Sequence, residues 1–194
     1  GGFRSFNNQF TGSFIRMSAD GLVDESFMPS VSSQFVDSGI TEIIVLENNQ
    51  IVIGGNLNFV SNEIRNGIAI LNDDGSIDPS FDLNLNENVI IRSLNLTNEN
   101  NLVYAGNIGF NEGGFVSMSD LSGNNIESFE VTYDFGSTSL EAAAIMPASN
   151  LVLVSVVGSG NAPNKVIQFN TDGSLRDDTS ITSSGSSSAS VIFP

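Results

Sequence analysis

Short runs of aliphatic and aromatic residues, four to eight long and broken by clusters of Asn, Asp, Ser and Gly, recur along the whole chain. Runs of that length between turn-forming residues are what antiparallel strands require, because alternate side chains must reach a core while the corners stay polar. The pairs "IIVLENNQIVIGG" at 43–55, "LNLTNENNLVYAG" at 94–106 and "AIMPASNLVLVSV" at 144–156 each predict a hairpin. A further strand is expected downstream of each, at "IAIL" 68–71, "FVSM" 115–118 and "VIQF" 166–169, with "FIRM" 14–17 as the first of the set. No segment keeps a helical period with start and stop signals. The best local candidate, "SLEAAAIM" at 139–146, occupies a strand position in the repeat and is assigned as a strand.

After each of these strands comes a turn with glycine at one fixed place, at Gly21, Gly75, Gly123 and Gly173. The interval is about 50 residues, a period that belongs to propeller blades or solenoid coils. Three copies then close on phenylalanine, at Phe27, Phe81 and Phe129, and the fourth carries Thr179 there. The predicted fold is therefore all-β: a β-propeller, or an arc of one, built from about four repeats of four short antiparallel strands, with a β-solenoid as the alternative. The chain reads as a single repeat domain over 1–194, with repeats at 1–39, 40–88, 89–139 and 140–190 and a further strand opening at 191–194. Both ends fall inside a repeat and the first residue is not methionine, so the expectation is a piece of a longer polypeptide or a chain whose leader has been removed. One repeat's core is assigned to Ile43, Val45, Ile51, Ile53, Ile68, Ile70, Leu71 and Phe81. The regular spacing of Phe27, Phe81 and Phe129 makes them wedges between repeats rather than sugar-stacking platforms.

The acidic turns raise the question of a cation site. "MSADGLVDESF" at 17–27, "LNDDGSIDPSF" at 71–81 and "FNTDGSLRDDT" at 169–179 look like ligand loops, but such a loop needs several oxygen ligands at fixed positions in each copy. The third copy, "LSGNNIESF" at 121–129, has Ser122 before its glycine and reads as placing Glu127 where the others have the second aspartate. Glycine persists where the carboxylates do not, so the repeated phrase is assigned as a turn with positive φ, and no metal site is predicted. Carboxylate pairs such as Asp73 with Asp78, or Asp177 with Asp178, are candidates for glycoside hydrolysis, but nearly all of them lie in turns, and turn capping is the reading assigned. "GSGN" at 158–161 precedes a strand, not a helix, and is assigned as a turn rather than a phosphate loop. The single sequon, "NLT" at 95–97, falls in a predicted strand. The serine run at 182–190 is assigned as a loop between repeats.

Composition narrows the chemistry. With no cysteine and no histidine, disulfides, thiol nucleophiles, imidazole bases and Cys/His zinc sites are excluded. Twenty-two acidic residues against six basic ones, a net charge of -16, argue against nucleic acid and against anionic membrane surfaces as partners. No apolar run approaches the roughly 20 residues of a spanning helix. Trp is absent and the two tyrosines are Tyr104 and Tyr133, so aromatic carbohydrate binding is not advertised.

The stretch "GGNLNFVSNEIRNGIAILNDDGSIDPSF" at 54–81 resembles the delta-sixty repeat of bacterial surface proteins, with its double glycine, its Ala-x-Leu-Asn strand, its Asp-Gly turn and its closing Asp-x-x-Phe. The third and fourth copies lack the double glycine. The resemblance implies propeller blades in a large extracellular protein and brings no catalytic residue or cofactor. The functional expectation is a non-enzymatic binding, adhesion or structural module of a cell-surface or phage-tail protein, extracellular or on a virion. Its expected partners are a glycan or protein and further repeats of the same or a neighbouring chain. The alternative is a carboxylate-dependent glycoside hydrolase.

Overall fold

A computed structural model describes residues 5–6, 9–10, 14–33, 39–109, 113–131, 133–135, 139–146, 151–157 and 164–181. The "GSGN" stretch, the serine run and the last four residues lie outside them. Every regular element is a strand, so the chain is all-β and its sheets are small antiparallel meanders of the propeller type. It divides into two compact units, Gly1–Val89 and Ile90–Pro194, each holding two repeats.

In the first unit β1 (Ser5–Phe6) pairs with β2 (Gln9–Phe10). A small sheet joins β3 (Val31–Ser32), β6 (Phe59–Val60) and β7 (Glu63–Ile64); Ser61 and Asn62 both take positive φ at its hairpin corner, as a type I′ turn requires. The main sheet has the order β4-β5-β8, from β4 (Gly39–Val45), β5 (Ile51–Asn56) and β8 (Ile68–Leu71). In the second unit β9 (Val89–Leu96), which opens at the boundary, lies beside β10 (Leu102–Ile108) and β11 (Gly114–Ser119). A four-stranded meander follows, from β12 (Ser139–Met146), β13 (Leu151–Val157), β14 (Asn164–Asn170) and β15 (Leu175–Ile181).

Among the described residues only the last repeat has the four-stranded sheet expected of all of them. In the others the chain after the glycine turn makes one isolated bridge, Met17↔Val23, Leu71↔Ile77 or Ser119↔Asn125, and then leaves the sheet. The closing phenylalanine accounts for this. A further tight turn, with Phe27 N–H donating to the Asp24 carbonyl and Phe129 N–H to that of Ile126 at 2.9 Å, swings each ring off the sheet into the core. Phe27 and Phe81 are fully buried and Phe129 nearly so. The fourth copy has Thr179 in place of the phenylalanine, and there the chain runs on as β15. The segment "FIRM" at 14–17 is likewise not assigned as a strand: among the described residues its ladder contact is the bridge at Met17. Equivalent backbone bonds, Asp24 N–H to Arg16 O, Asp78 N–H to Ile70 O and Ile126 N–H to Met118 O, show that Ile126, not Glu127, replaces the second aspartate in the third copy.

Two cores result. One gathers Ile51, Ile53, Ala69 and Leu71 of the second repeat around Phe14 and Phe27 of the first. The other joins Val103, Ala105, Val116 and Met118 of the third repeat to Val152, Val154, Ile167 and Phe169 of the fourth, with Phe129 and Phe135 between them. Of the eight core residues assigned to the second repeat, Ile51, Ile53, Ile68, Ile70, Leu71 and Phe81 are buried. Ile43 and Val45 are not, at 49% and 67% exposure, because they stand on β4, an edge strand whose face is uncovered among the described residues.

Candidate functional site

The four turn glycines have φ between +79° and +83°, the left-handed region that L side chains avoid. Each turn closes in the same way: Gly75 N–H donates to Asn72 O at 2.9 Å and Asn72 N–H to Ser76 O at 2.7 Å, with matching pairs around Gly21, Gly123 and Gly173. Two of these glycines have a second role. A Cβ on Gly75 would lie 3.0 Å from the Phe27 ring, and one on Gly173 would lie 2.4 Å from the Glu130 carbonyl oxygen. The segment that ends one repeat therefore packs directly on the turn of the next, with no room for a side chain.

The turn carboxylates are held by their own loops. Asp74 Oδ1 accepts from Ser76 N–H at 2.9 Å and from its hydroxyl at 2.6 Å; Asp172 and Ser174 repeat both distances. Asp78 with Ser80, and Asp24 with Ser26, do the same one turn later. In the third copy Asp120 takes over, accepting from the N–H groups of Ser122 and Asn124. The Asp-x-Ser spacing is the signal that a search for cation ligands passes over: two residues on, the serine donates to the carboxylate twice. Among the described residues no group of acidic side chains is arranged to hold a metal ion.

These bonds favour the ionised forms. Asp24, Asp74, Asp78 and Asp172 lie below the usual carboxylate range, chiefly through the serine hydroxyls, and Asp120 does so chiefly through the Asn124 side chain. A depressed native value gives stability that is complete above the ordinary aspartate value of about 4 and is lost as pH falls through the native one. Replacing Ser76 and Ser174 together by alanine should therefore lower the melting temperature at pH 7, and the difference from the parent chain should shrink as the pH falls below about 4 and the carboxylates take up protons. A pH-independent difference in thermal melts would assign the serines some other role.

The carboxylate pairs considered for hydrolysis have separate partners. Asp73 bonds to Arg16 at 2.8 Å, and Asp78 Oδ2 accepts from Gln50 Nε2 at 2.7 Å. Asp178 pairs with Lys165 at 3.0 Å, and Asp177 Oδ1 accepts from the Asp178 N–H. Tyr104 is buried edge-on to Phe115, while the Tyr133 hydroxyl accepts from Lys165 Nζ at 3.1 Å. Asn95 of the sequon lies half-buried on β9.

Arg16 is the polar group that the sequence did not single out. It stands where the next two repeats place Ile70 and Met118, yet it is only partly exposed. Its guanidinium lies 4.4 Å over the Phe27 ring, bonds Asp24 at 2.8 Å within its own repeat, and reaches both the side chain and the carbonyl of Asp73 in the next. One cation thus ties two turns and caps the wedge between them. It also floors an open depression of about 580 Å³ lined by Met17, Leu22, Asp24, Asn49 and Asp73. With Leu22 69% exposed and Arg16 already neutralised, this surface offers apolar contact, the Ser18 hydroxyl and a carboxylate rim.

No curated protein matches the chain. Residues 46–81, from the first hairpin corner through β5 and β8 to the wedge Phe81, are similar to the family described as a domain of unknown function (DUF5122) beta-propeller, which makes this a repeat of β-propeller type.

Proposed function

We propose that this chain is a non-enzymatic repeat module of an extracellular protein, displayed on a cell surface or, alternatively, on a virion, where it serves adhesion or scaffolding. The repeats are of the delta-sixty kind. The observation that carries the proposal is the use made of the shared polar residues: turn after turn, the recurring carboxylates accept bonds from their own backbone and serines, and Phe27 and Phe129 fill the space between repeats within each unit. Chemistry common to all copies thus supports a scaffold, and binding is left to the loops that differ between copies. The acidic surface suits a glycan or protein partner and further repeats, not nucleic acid.

A glycan array and a panel of glycosidase substrates, run on the purified chain, test this together. The expected result is binding without turnover. Turnover of any sugar substrate that is abolished by Asp78→Asn or Asp177→Asn would instead establish the carboxylate-dependent hydrolase.

A further inference from the structure

We infer that the open face of β4 is a docking surface for the inner β-hairpin of a further repeat of this same type. The register defines the face. Val45 pairs with Ile51 and Ile51 with Leu71; Ile43 pairs with Ile53 and Ile53 with Ala69. Paired residues point to one side of a sheet, so these six side chains form one apolar surface. On β5 and β8 it is covered by Phe14 and Phe27, and Ile53, Ala69 and Leu71 are fully buried. On β4 the same surface continues uncovered, with Ile43 49% and Val45 67% exposed.

The other copies indicate what belongs there. Ile43 precedes Gly55 by the interval at which Leu94 precedes Gly106, and Leu94 is only 4% exposed. An aliphatic side chain at this place is thus an interior residue elsewhere in the chain. In the fourth repeat the strand matching β4 is β12, and β12 lies against β10, the inner strand of the preceding repeat's hairpin. There β10 contributes Val103 and Ala105 to the core shared by the two repeats.

A second observation is independent of burial. The strands β8, β11 and β14 each pair along one side with the hairpin of their own repeat, namely with β5, β10 and β13. Residues 14–17 have the bridge to Val23 on one side and, among the described residues, no ladder on the other. One hairpin satisfies both conditions: its inner strand extends the sheet along residues 14–17, and its small aliphatic side chains cover Ile43 and Val45. This is addition of a strand to an open edge, with backbone bonds giving affinity and the alternating side chains giving selectivity.

The absence of cysteine makes the test direct. Ile43→Cys provides a single, exposed thiol. Its modification rate is compared in the chain as it stands and in one extended at its start by a copy of residues 39–53, so that the added strand runs into Gly1 as Ile53 runs into Gly54. The expected result is a thiol slowed about tenfold or more in the extended chain, and restored when aspartate replaces the copy of Val52. Equal rates in the two chains overturn the inference, as does a lower melting temperature in the extended one. A rate in the unextended chain that falls with protein concentration also overturns it, since a second copy would then be the occupant. The inference deepens the proposed association with further repeats, and an empty glycan array leaves it standing.

Discussion

Replacing Ile70 by aspartate should abolish the folded first unit. Ile70 is 1% exposed on β8, directly opposite fully buried Val52 on β5. A carboxylate there would stand in the sheet interior among aliphatic strand neighbours. It must either stay charged without a partner or take up a proton, and either course costs about 4 kcal/mol or more. Domains of this size have total stabilities of about 5–15 kcal/mol, so little folding free energy would remain. The matched control is Ile43→Asp: same residue type, same sheet, but half exposed, with an expected cost of about 0.5 kcal/mol. Circular dichroism melts of the two variants decide the matter, and equal losses would mean that the two faces are wrongly assigned.

Gly55→Ala is expected to cost about 3 kcal/mol, an unusual penalty for one methyl group. The reason is a bulge: β4 carries an extra residue between Ile40 and Glu42, and this brings the β4 backbone down onto β5. A Cβ on Gly55 would lie 2.1 Å from the Gly39 carbonyl oxygen and 3.0 Å from the Ile40 Cα. A Cβ on Gly106 would likewise lie 2.2 Å from the Ile90 carbonyl oxygen. Backbone cannot step aside as a flexible side chain can, so the bulge or the pairing must yield. Gly39→Ala is the control, since a Cβ there meets nothing within 4 Å. Urea unfolding of the pair should separate them clearly, and a harmless Gly55→Ala would mean that the close approach relaxes at no cost.

The strands were legible because period and turn chemistry agree: "IVIGG" and "LVYAG" lie between Asn-rich corners, and Asn49 and Asn100 take the positive φ those corners need. The glycine turns were legible for the same reason. What the sequence could not convey is which side of an apolar strand has a neighbour. Ile43 and Ile53 are the same residue type in the same alternation, and only the packing of Phe14 and Phe27 separates a buried one from an exposed one. The arginine in "FIRM" was a clue to an irregular first repeat, since it interrupts an aliphatic strand, but its partners Asp24 and Asp73 lie in different turns and cannot be paired by inspection. Carboxylates stand out in a sequence and the serines two residues later do not, so turns that hold their own charge share the appearance of cation loops.

The contacts of Phe27 with Gly75 and of Glu130 with Gly173 join successive repeats through a position where neither side can change independently. In a linear array, stability is the sum of each repeat's own folding and a coupling to its nearest neighbour, and here the coupling is concentrated on one ring or one carbonyl against one glycine. Damage at a turn should therefore propagate backwards along the chain. Substituting Gly75 strains its own corner and also removes the seat on which the preceding Phe27 rests, so the two repeats should lose structure as one cooperative step.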